Sequence, residues 1–404
     1  MNHGKRCLTI FAIAFAATPL NAQVCETPGT LHPTLRLGSQ SGDVTFAYLR
    51  AAVTDAKGNL YVAQALEEFV SVFDSSGERL ANVGRAGQGP GEFGAGPNAL
   101  LFRGDTLVAV ERFGVHYFDR SHREVRRVTF RAVFREESSE FMAGVPLADG
   151  TFMGTRFVTP PTRLFWGKEE LQLRKFDERG QVVGSVGSVG HVLPAVGDAT
   201  FRRDFENHFL GHPLSWRNPW LPFAVTADGE AIVTIQSEVD DAPAFRIIKV
   251  AVDGDTIFTR SVPYDPIPIR RGDRRAIRDA FAVEFAGDPR PGLEAEQERM
   301  RSQVRGQLDL PVNYPPVRFA LNGVDGSIWL LRESRPLDRD LWEIYDEEAT
   351  YVGSVEVRSG RYGAQPWAPR LRIFTATRDV VWAATTDEFD VPYLTRFSVV
   401  LGCD

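Results

Sequence analysis

The stretch AAVTDAKGNLYVAQALEEFVSVFDSSGERLANVG, residues 51 to 84, decides the architecture. Its apolar runs AAV, LYVA, FVSVF and LANV are short, rich in Val, Phe and Tyr, and separated twice by a four-residue break, DAKG and DSSG. β-branched and aromatic side chains pack well on a pleated surface, so each run reads as a strand. Aspartate at the head of a turn bonds its own backbone two residues on, and glycine at its end tolerates positive φ, so each break reads as a tight hairpin turn. The segment is a four-stranded antiparallel unit.

The unit recurs along the chain. ALLFRGDTLVAVE with VHYFDRSHREVRRVTF is a second copy, PLADGTFMGTR with LQLRKFDERGQVVGSVG a third, and FAVTADGEAIVTIQ with AFRIIKVAVDGDTIFTRSV a fourth. FALNGVDGSIWLLRE with LWEIYDEEATYVGSVEV is a fifth, and LRIFTATRDVVWAATT with YLTRFSVVLG is a sixth that stops after three strands. Gly58, Gly104 and Gly150 mark a spacing of 46 residues. Short strands in fours at such a period point to an all-β, six-bladed β-propeller. PTLRLG, residues 33 to 38, is a spare strand before the first unit. Placed at the outer edge of the last blade, it closes the ring and hides a sheet edge.

The 404 residues are 43% hydrophobic and 25% charged, ordinary for a globular chain. The start, MNHGKRCLTIFAIAFAATPLNAQ, has basic residues, then a short apolar run, then small residues, and reads as a signal peptide over residues 1–22, with the propeller at 23–404. Its removal takes two of the 46 basic residues and none of the 53 acidic ones, so the net charge moves from −7 to −9. That balance disfavours a nucleic-acid partner. Val24 stands before Cys25, where a lipoprotein needs a small residue, and no later run is apolar for long enough to span a bilayer. The expectation is an exported monomer, periplasmic or extracellular, with no membrane anchor. Cys7 leaves with the signal, so Cys25 and Cys403 at the two ends either bridge or stay as separate thiols; in an oxidising compartment the bridge is expected.

VGRAGQGPGEF, with the preceding GNLYVAQ and VFDSSGE, resembles the NHL-type repeat of six-bladed propellers, closely in the first unit and loosely in the next four. The resemblance implies the fold. Its members include secreted bacterial proteins without assigned function, protein- and RNA-binding modules, and an amidating lyase, so it leaves the activity open. Where the family often ends its second strand in Asp, this chain has Gln64.

GPGEFG, residues 89 to 94, also fits G-x-G-x-x-G. A dinucleotide loop needs a helix to follow, whereas Ala95, Gly96 and Pro97 lead into the strand ALLF. The loop reads as a connection between units, and no cofactor is expected.

In a blade, the turns between strands one and two and between three and four share a face. Here they are tight: DAKG, DSSG, LADG, DERG, TADG and VDG. The opposite face takes the glycine-rich connection and two insertions, about residues 188–219 and 266–315, the second a pair of helices between blades four and five. Long connections on a rigid scaffold carry function, so the elaborated face is the candidate binding face. Second strands end there at Gln64, Glu111, Arg156, Gln236, Arg332 with Glu333, and Thr385, all polar.

The first insertion holds His208 and His212 four apart beside Glu206, with Phe209, Trp216 and Trp220. H-E-x-x-H is absent and no third ligand lies nearby, so no metal is assigned; the tryptophans either pack over the channel or stack on a sugar or peptide. In the second insertion Asp273 suits a helix start, Pro291 a first turn, and Leu293, Met300, Val304 and Leu308 make one stripe. The stripe packs on its own protein or receives a partner. No G-x-S-x-G elbow occurs, the histidines do not recur at matching positions, and Arg156 and Arg332 would repel a channel cation. The chain therefore reads as a non-catalytic binder of a peptide, glycan or protein at Gln64, Glu111, Arg156, His208, His212, Trp216, Arg332 and Glu333. The rival is a channel-mouth lyase or lactone hydrolase.

Overall fold

The structure, a computed structural model, describes residues 25, 27–38, 44–65, 67–94, 96–111, 114–129, 145–157, 169–191, 223–238, 243–287, 290–308, 310, 312–335, 338–360, 369–387 and 391–403. The proposed signal segment, residues 1–22, and most of the first insertion lie outside them.

The chain opens with β1 (Thr27–Leu37). A first quartet follows: β2 (Leu49–Thr54), β3 (Leu60–Gln64), β4 (Val70–Phe73) and β5 (Arg79–Val83). The glycine-rich connection forms a small parallel pair, β6 (Arg85–Ala86) and β7 (Glu92–Phe93). The second quartet is β8 (Ala99–Arg103), β9 (Thr106–Glu111), β10 (Gly114–Phe118) and β11 (Glu124–Thr129). The third is β12 (Val145–Pro146), β13 (Phe152–Phe157), β14 (Glu169–Phe176) and β15 (Val182–His191), and the fourth β16 (Phe223–Val225), β17 (Ala231–Glu238), β18 (Ala244–Ala251) and β19 (Thr256–Pro263). Two helices, α1 (Arg271–Ala286) and α2 (Glu294–Gln307), precede β20 (Val317–Asn322), β21 (Ile328–Arg332), β22 (Asp340–Tyr345) and β23 (Tyr351–Val357). The chain ends with β24 (Arg372–Ala376), β25 (Val380–Thr386) and β26 (Pro392–Gly402).

The fold is all-β and propeller-like, with few helices. Four of the sheets are antiparallel quartets in chain order. The reading of six separate units is altered at the ends: the last seven strands and β1 make a single eight-stranded sheet, ordered β20-β21-β22-β23-β1-β26-β25-β24. β1 runs antiparallel to β26 from Thr27↔Gly402 to Leu37↔Leu394, and its other edge touches β23 in parallel at Gly29↔Val355. A spare strand has two edges, and here both find partners. Gly29 fits this seam because a Cβ there would meet the Val400 carbonyl oxygen at 1.9 Å. A Cys25–Cys403 disulfide ties the start of β1 to the end of β26 across 378 residues.

Apolar clusters sit between successive quartets. Val53 and Tyr61 of the first pack with Leu107 and Phe118 of the second, and Phe46, Leu60 and Phe73 pack with Trp382 and Leu394 at the chain's far end. The first strands lie at the centre, β2 against β8 and β24, and β20 against β16 and β24. Fourth strands such as β19 are mostly exposed.

The tight turns explain themselves locally. Asp55 Oδ1 accepts the amides of Lys57 and Asn59, and Asp74 Oδ1 those of Ser76 and Glu78, while Gly58 and Gly77 close the turns at φ +82° and +91°. His122 and Ala349 take the same role at φ 59° and 58°.

The helical hairpin packs on itself. Val304 and Leu308 of the stripe are buried, whereas Leu293, at the N-cap of α2, is 42% exposed. Asp273 lies in the first turn of α1, and Pro291 falls before α2 rather than within its first turn.

Candidate functional site

The elaborated end carries the polar machinery, beginning with the glycine loop. Its amides are already capped by carboxylates of this chain. Gly89 N donates to Glu92 Oε2 and Gly91 N to Glu124 Oε2, both at 2.7 Å. Arg127 clamps the loop from outside by donating to the carbonyls of Gln88, Gly89 and Glu92. Burial alone would push the Glu124 carboxyl up, but the Gly91 amide, His116 and Arg127 outweigh it and hold the pKa low. His116 is buried between two acids, with Nδ1 2.7 Å from Glu124 and Nε2 3.2 Å from Glu111. The loop is thus an anion nest filled from within, and Phe93 wedges against the His116 ring at 4.9 Å.

The second-strand ends lie at the elaborated end, and the side chains of Gln64, Glu111, Gln236 and Arg332 are bonded within the protein. Gln64 is 4% exposed; its Oε1 accepts from Ala47 N and its Nε2 donates to Glu67. Glu111 serves His116. Arg156 stands opposite Gln172 in the β13–β14 ladder. Gln236 accepts from Arg246. Arg332 reaches both oxygens of Glu343 at 2.9 and 2.8 Å, donates to the Pro316 carbonyl and lies over the Phe245 ring. His208, His212 and Trp216 lie outside the described residues.

Glu333 is different in kind. Its side chain is 5% exposed, with Arg335 Nε 3.0 Å away but poorly aligned, so Glu333 Oε1 makes no hydrogen bond among the described residues. Burial pushes its pKa up, although Arg318 and Arg335 pull the other way. Arg335 in turn lies 3.8 Å from the centre of the Tyr314 ring. Burial, opposed by Arg335, raises the Tyr314 phenol to about 12, with Asp273 and Glu333 adding to the rise.

Residues that the sequence pattern did not single out lie nearer the axis, on first strands. Arg318 of β20 is 3% exposed and donates to Asp340 Oδ1 at 2.6 Å. The other Asp340 oxygen accepts the Arg370 amide. Two residues on, Arg372 of β24 donates to the carbonyls of Leu49 and Arg50 at 2.8 and 2.7 Å, and so crosses to β2. Arg50 Nη1 lies 3.4 Å from the Gly96 carbonyl. Both Arg50 and Arg318 occupy breaks in register: Leu49 pairs with Gln64 but Ala51 with Ala63, and Val317 pairs with Arg332 but Phe319 with Leu331. A bulge of this kind re-aims the extra side chain. Among the described residues no three His, Cys, Asp or Glu side chains are grouped to hold a metal ion.

No protein-family model and no curated protein matches this chain. Solved structures it resembles include a member of the DUF4221 family from Bacteroides vulgatus, at 7% identity and a TM-score of 0.47 over 93% of this chain and 99% of that one. A conjectured exported protein of Bacteroides fragilis shares 11% identity over 95% of this chain and 97% of its own, with a TM-score of 0.42. The PQQ-bound aldose sugar dehydrogenase of Streptomyces coelicolor shares 11% over 92% and 98%, with a TM-score of 0.38. The likeness stops at a propeller-like fold, and the NHL-type resemblance of residues 51 to 94 gains no family match.

Proposed function

We propose that this chain is an exported, six-bladed propeller that binds a ligand or protein partner at its elaborated face without catalysis. Six blades follow if the eight-stranded sheet is counted as β20–β23 beside β24–β26 with β1, joined at the single parallel contact. Export is supported by the Cys25–Cys403 disulfide, since such bonds persist in oxidising compartments.

The observation that carries the binding reading is the asymmetry of the two ends. One keeps minimal turns capped by their own aspartates; the other holds the clamped glycine loop, the α1–α2 hairpin and the buried charged groups around Asp340. The proposed site is the mouth framed by Gln64, Glu111, Arg156, Arg332 and Glu333, beneath the segment with His208, His212 and Trp216.

A screen of immobilised peptides and glycans tests the reading. Arg156→Ala and Trp216→Ala should each weaken the ligand found by about fivefold or more, the loss of about 1 kcal/mol expected of an anchor residue. A change at Ser75 in the DSSG turn should leave affinity alone. Unchanged affinity in both variants, with the fold intact, places the site elsewhere. The enzymatic rival rests on one observation, the buried Glu333 with its raised pKa, which is the profile of an acid–base group. Stoichiometric zinc or calcium in the purified protein would favour it.

A further inference from the structure

We infer that the folded protein stores a proton between His116 and Glu111, and that this proton fastens the glycine loop, which loosens when a rising pH removes it.

The number of donors on the His116 ring decides the matter. Its Nδ1 lies 2.7 Å from Glu124 Oε1 and its Nε2 3.2 Å from Glu111 Oε2. An ionised carboxylate only accepts hydrogen bonds, whereas a neutral imidazole donates from one nitrogen and presents a lone pair at the other. Burial lifts the Glu124 carboxyl, but the Gly91 amide, His116 and Arg127 hold its pKa low, so it stays an acceptor and Nδ1 carries its hydrogen. Across the contact to Glu111 a second proton is then required, on Nε2 or on the acid. Without it a buried lone pair faces a carboxylate, and that arrangement costs free energy.

The ring is pinned in this position. Phe93 meets it edge to face at 4.9 Å, Phe118 lies nearly parallel to it at 6.3 Å, and the side chain is 3% exposed, which leaves little room for water in the partner's place. Repulsion is therefore relieved by moving a carboxylate, and one of the two is the cap of the loop: Glu124 Oε2 accepts the Gly91 amide at 2.7 Å. Because Glu111 ends β9 at the elaborated end, the same proton joins the loop to the proposed mouth.

Charged groups face the ring from three elements. β9 contributes Glu111, and β11 contributes Glu124 and Arg127, whose Nε donates to Glu124 Oε1 at 3.1 Å and whose terminal nitrogens donate to the carbonyls of Gln88, Gly89 and Glu92. From the loop, Arg85 and Glu92 pair with each other at 2.9 Å. The first quartet presents apolar Val70, Val72 and Val83 to the Phe93 and Phe118 cluster. Whatever else Glu111 holds, a bare Nε2 opposes it. A proton that the folded chain binds more tightly than the unfolded one adds stability that is lost as the pH rises and the proton leaves.

The test is hydrogen exchange of the full chain, resolved by segment and corrected for the intrinsic rise of exchange with pH, from about pH 5 to about pH 9. Protection of residues 87–93 should fall by about tenfold or more across that range, the loss expected when a charge-assisted hydrogen bond goes. Residues 55–59, in the turn capped by Asp55, should show no such step. Glu111→Gln should abolish the step and keep the loop protected at the alkaline end, because the amide N–H can donate to a bare Nε2. A purely structural role for Glu111 would instead lower protection at every pH. His116→Gln should abolish the step as well. In the wild type with the loop protected, ring nitrogen-15 signals should show a protonated Nε2, or carboxyl carbon-13 signals a neutral Glu111. The inference is overturned if the wild type shows no step, if residues 55–59 share it, if Glu111→Gln keeps it, or if Nε2 is bare beside an ionised Glu111 while the loop is protected. If His116→Gln fails to fold, Glu111→Gln and the wild-type spectra decide.

Discussion

At the tight-turn end, aspartates such as Asp55 and Asp74 cap their own turns; at the elaborated end, arginines such as Arg318 and Arg372 reach other strands. Asp55 bonds amides two and four residues away, and Asp74 does the same. Arg372, by contrast, bonds carbonyls 322 and 323 residues earlier, and Arg318 finds Asp340 on another strand. Local bonds stabilise one hairpin each, whereas long-range bonds hold the relation between sheets. The difference is one of degree, since Asp325 also accepts the Arg378 amide and Arg396 donates to the Ser75 carbonyl across quartets, but it teaches that substitutions of the long-reaching arginines should affect the fold and the candidate site together.

The longest-range tie should give the largest effect. The Cys25–Cys403 disulfide closes a loop of 378 residues, and in the loop-entropy account a bridge of that span stabilises by about 6 kcal/mol. Urea unfolding of a Cys25→Ser, Cys403→Ser double variant should show a loss approaching that figure, and the unfolded, unreduced wild type should titrate no free thiol. Two titratable thiols would remove the strongest long-range tie from the comparison.

Next in size is Asp340→Ala. The ion pair with Arg318 is 3% exposed on both sides, and removing one member strands the other charge. The cost should be about 3 to 5 kcal/mol, measured by the same unfolding curve. A loss below about 1 kcal/mol would mean that the fold near the axis accommodates Arg318 without its partner.

The two ends should also respond to pH with opposite sign. Burial holds Glu333 above its usual 4.5, despite Arg318 and Arg335, so folding favours its protonated form. That contribution is fully present below about 4.5 and is lost as pH rises through the folded value. Asp325, in the turn after β20, is pushed up by burial but pulled further down by the Ser327 hydroxyl, the Arg378 and Ser327 amides and the Arg378 charge. Its contribution is present above the usual 3.8 and is lost as pH falls through the lowered folded value. Subtracting the stability profile of Glu333→Gln from wild type should therefore slope downward with pH, and that of Asp325→Asn upward across the acid range. Two slopes of the same sign would refute the assignment of one strained and one satisfied carboxylate.

The contrast also explains what was legible in the sequence. The turns could be read because aspartate, glycine and their spacing suffice to make them. The place of β1 beside β26 and the pairing of Cys25 with Cys403 could be read because the sixth unit lacked a strand. The pairing of β1 with β23 could not, since nothing local to Gly29 or Val355 encodes a meeting of outer edges. The glycine loop could be read as a connection, but its cap from Glu124 lies 33 residues away from Gly91. Among candidate site residues, the second-strand ends followed from repeat spacing, whereas Arg50, Arg318 and Arg372 escaped notice. Their importance depends on bulges and on neighbours in other quartets, which alternation along one strand does not record.

The smallest effects should come from the tight-turn end, and a pair of glycines separates purely local strain from contact with the terminal strand. Gly58 closes its turn at φ +82°, and a Cβ there would meet only the Ser75 Cβ at 4.0 Å. Gly58→Ala therefore suffers left-handed strain alone, offset in part by the lower entropy of the unfolded chain, for a net loss of about 1 kcal/mol. Gly77 has a similar φ of +91°, but a Cβ there would lie 2.7 Å from Leu37 Cδ2 and 3.3 Å from the Leu35 methyls of β1. Gly77→Ala must push the strand that closes the ring, and overpacking of that order adds about 1 kcal/mol or more. Thermal unfolding of both variants should rank Gly77→Ala as clearly the worse. Equal losses would show that β1 yields freely at Leu35 and Leu37, and that its hold on the ring rests on the β26 ladder and the disulfide.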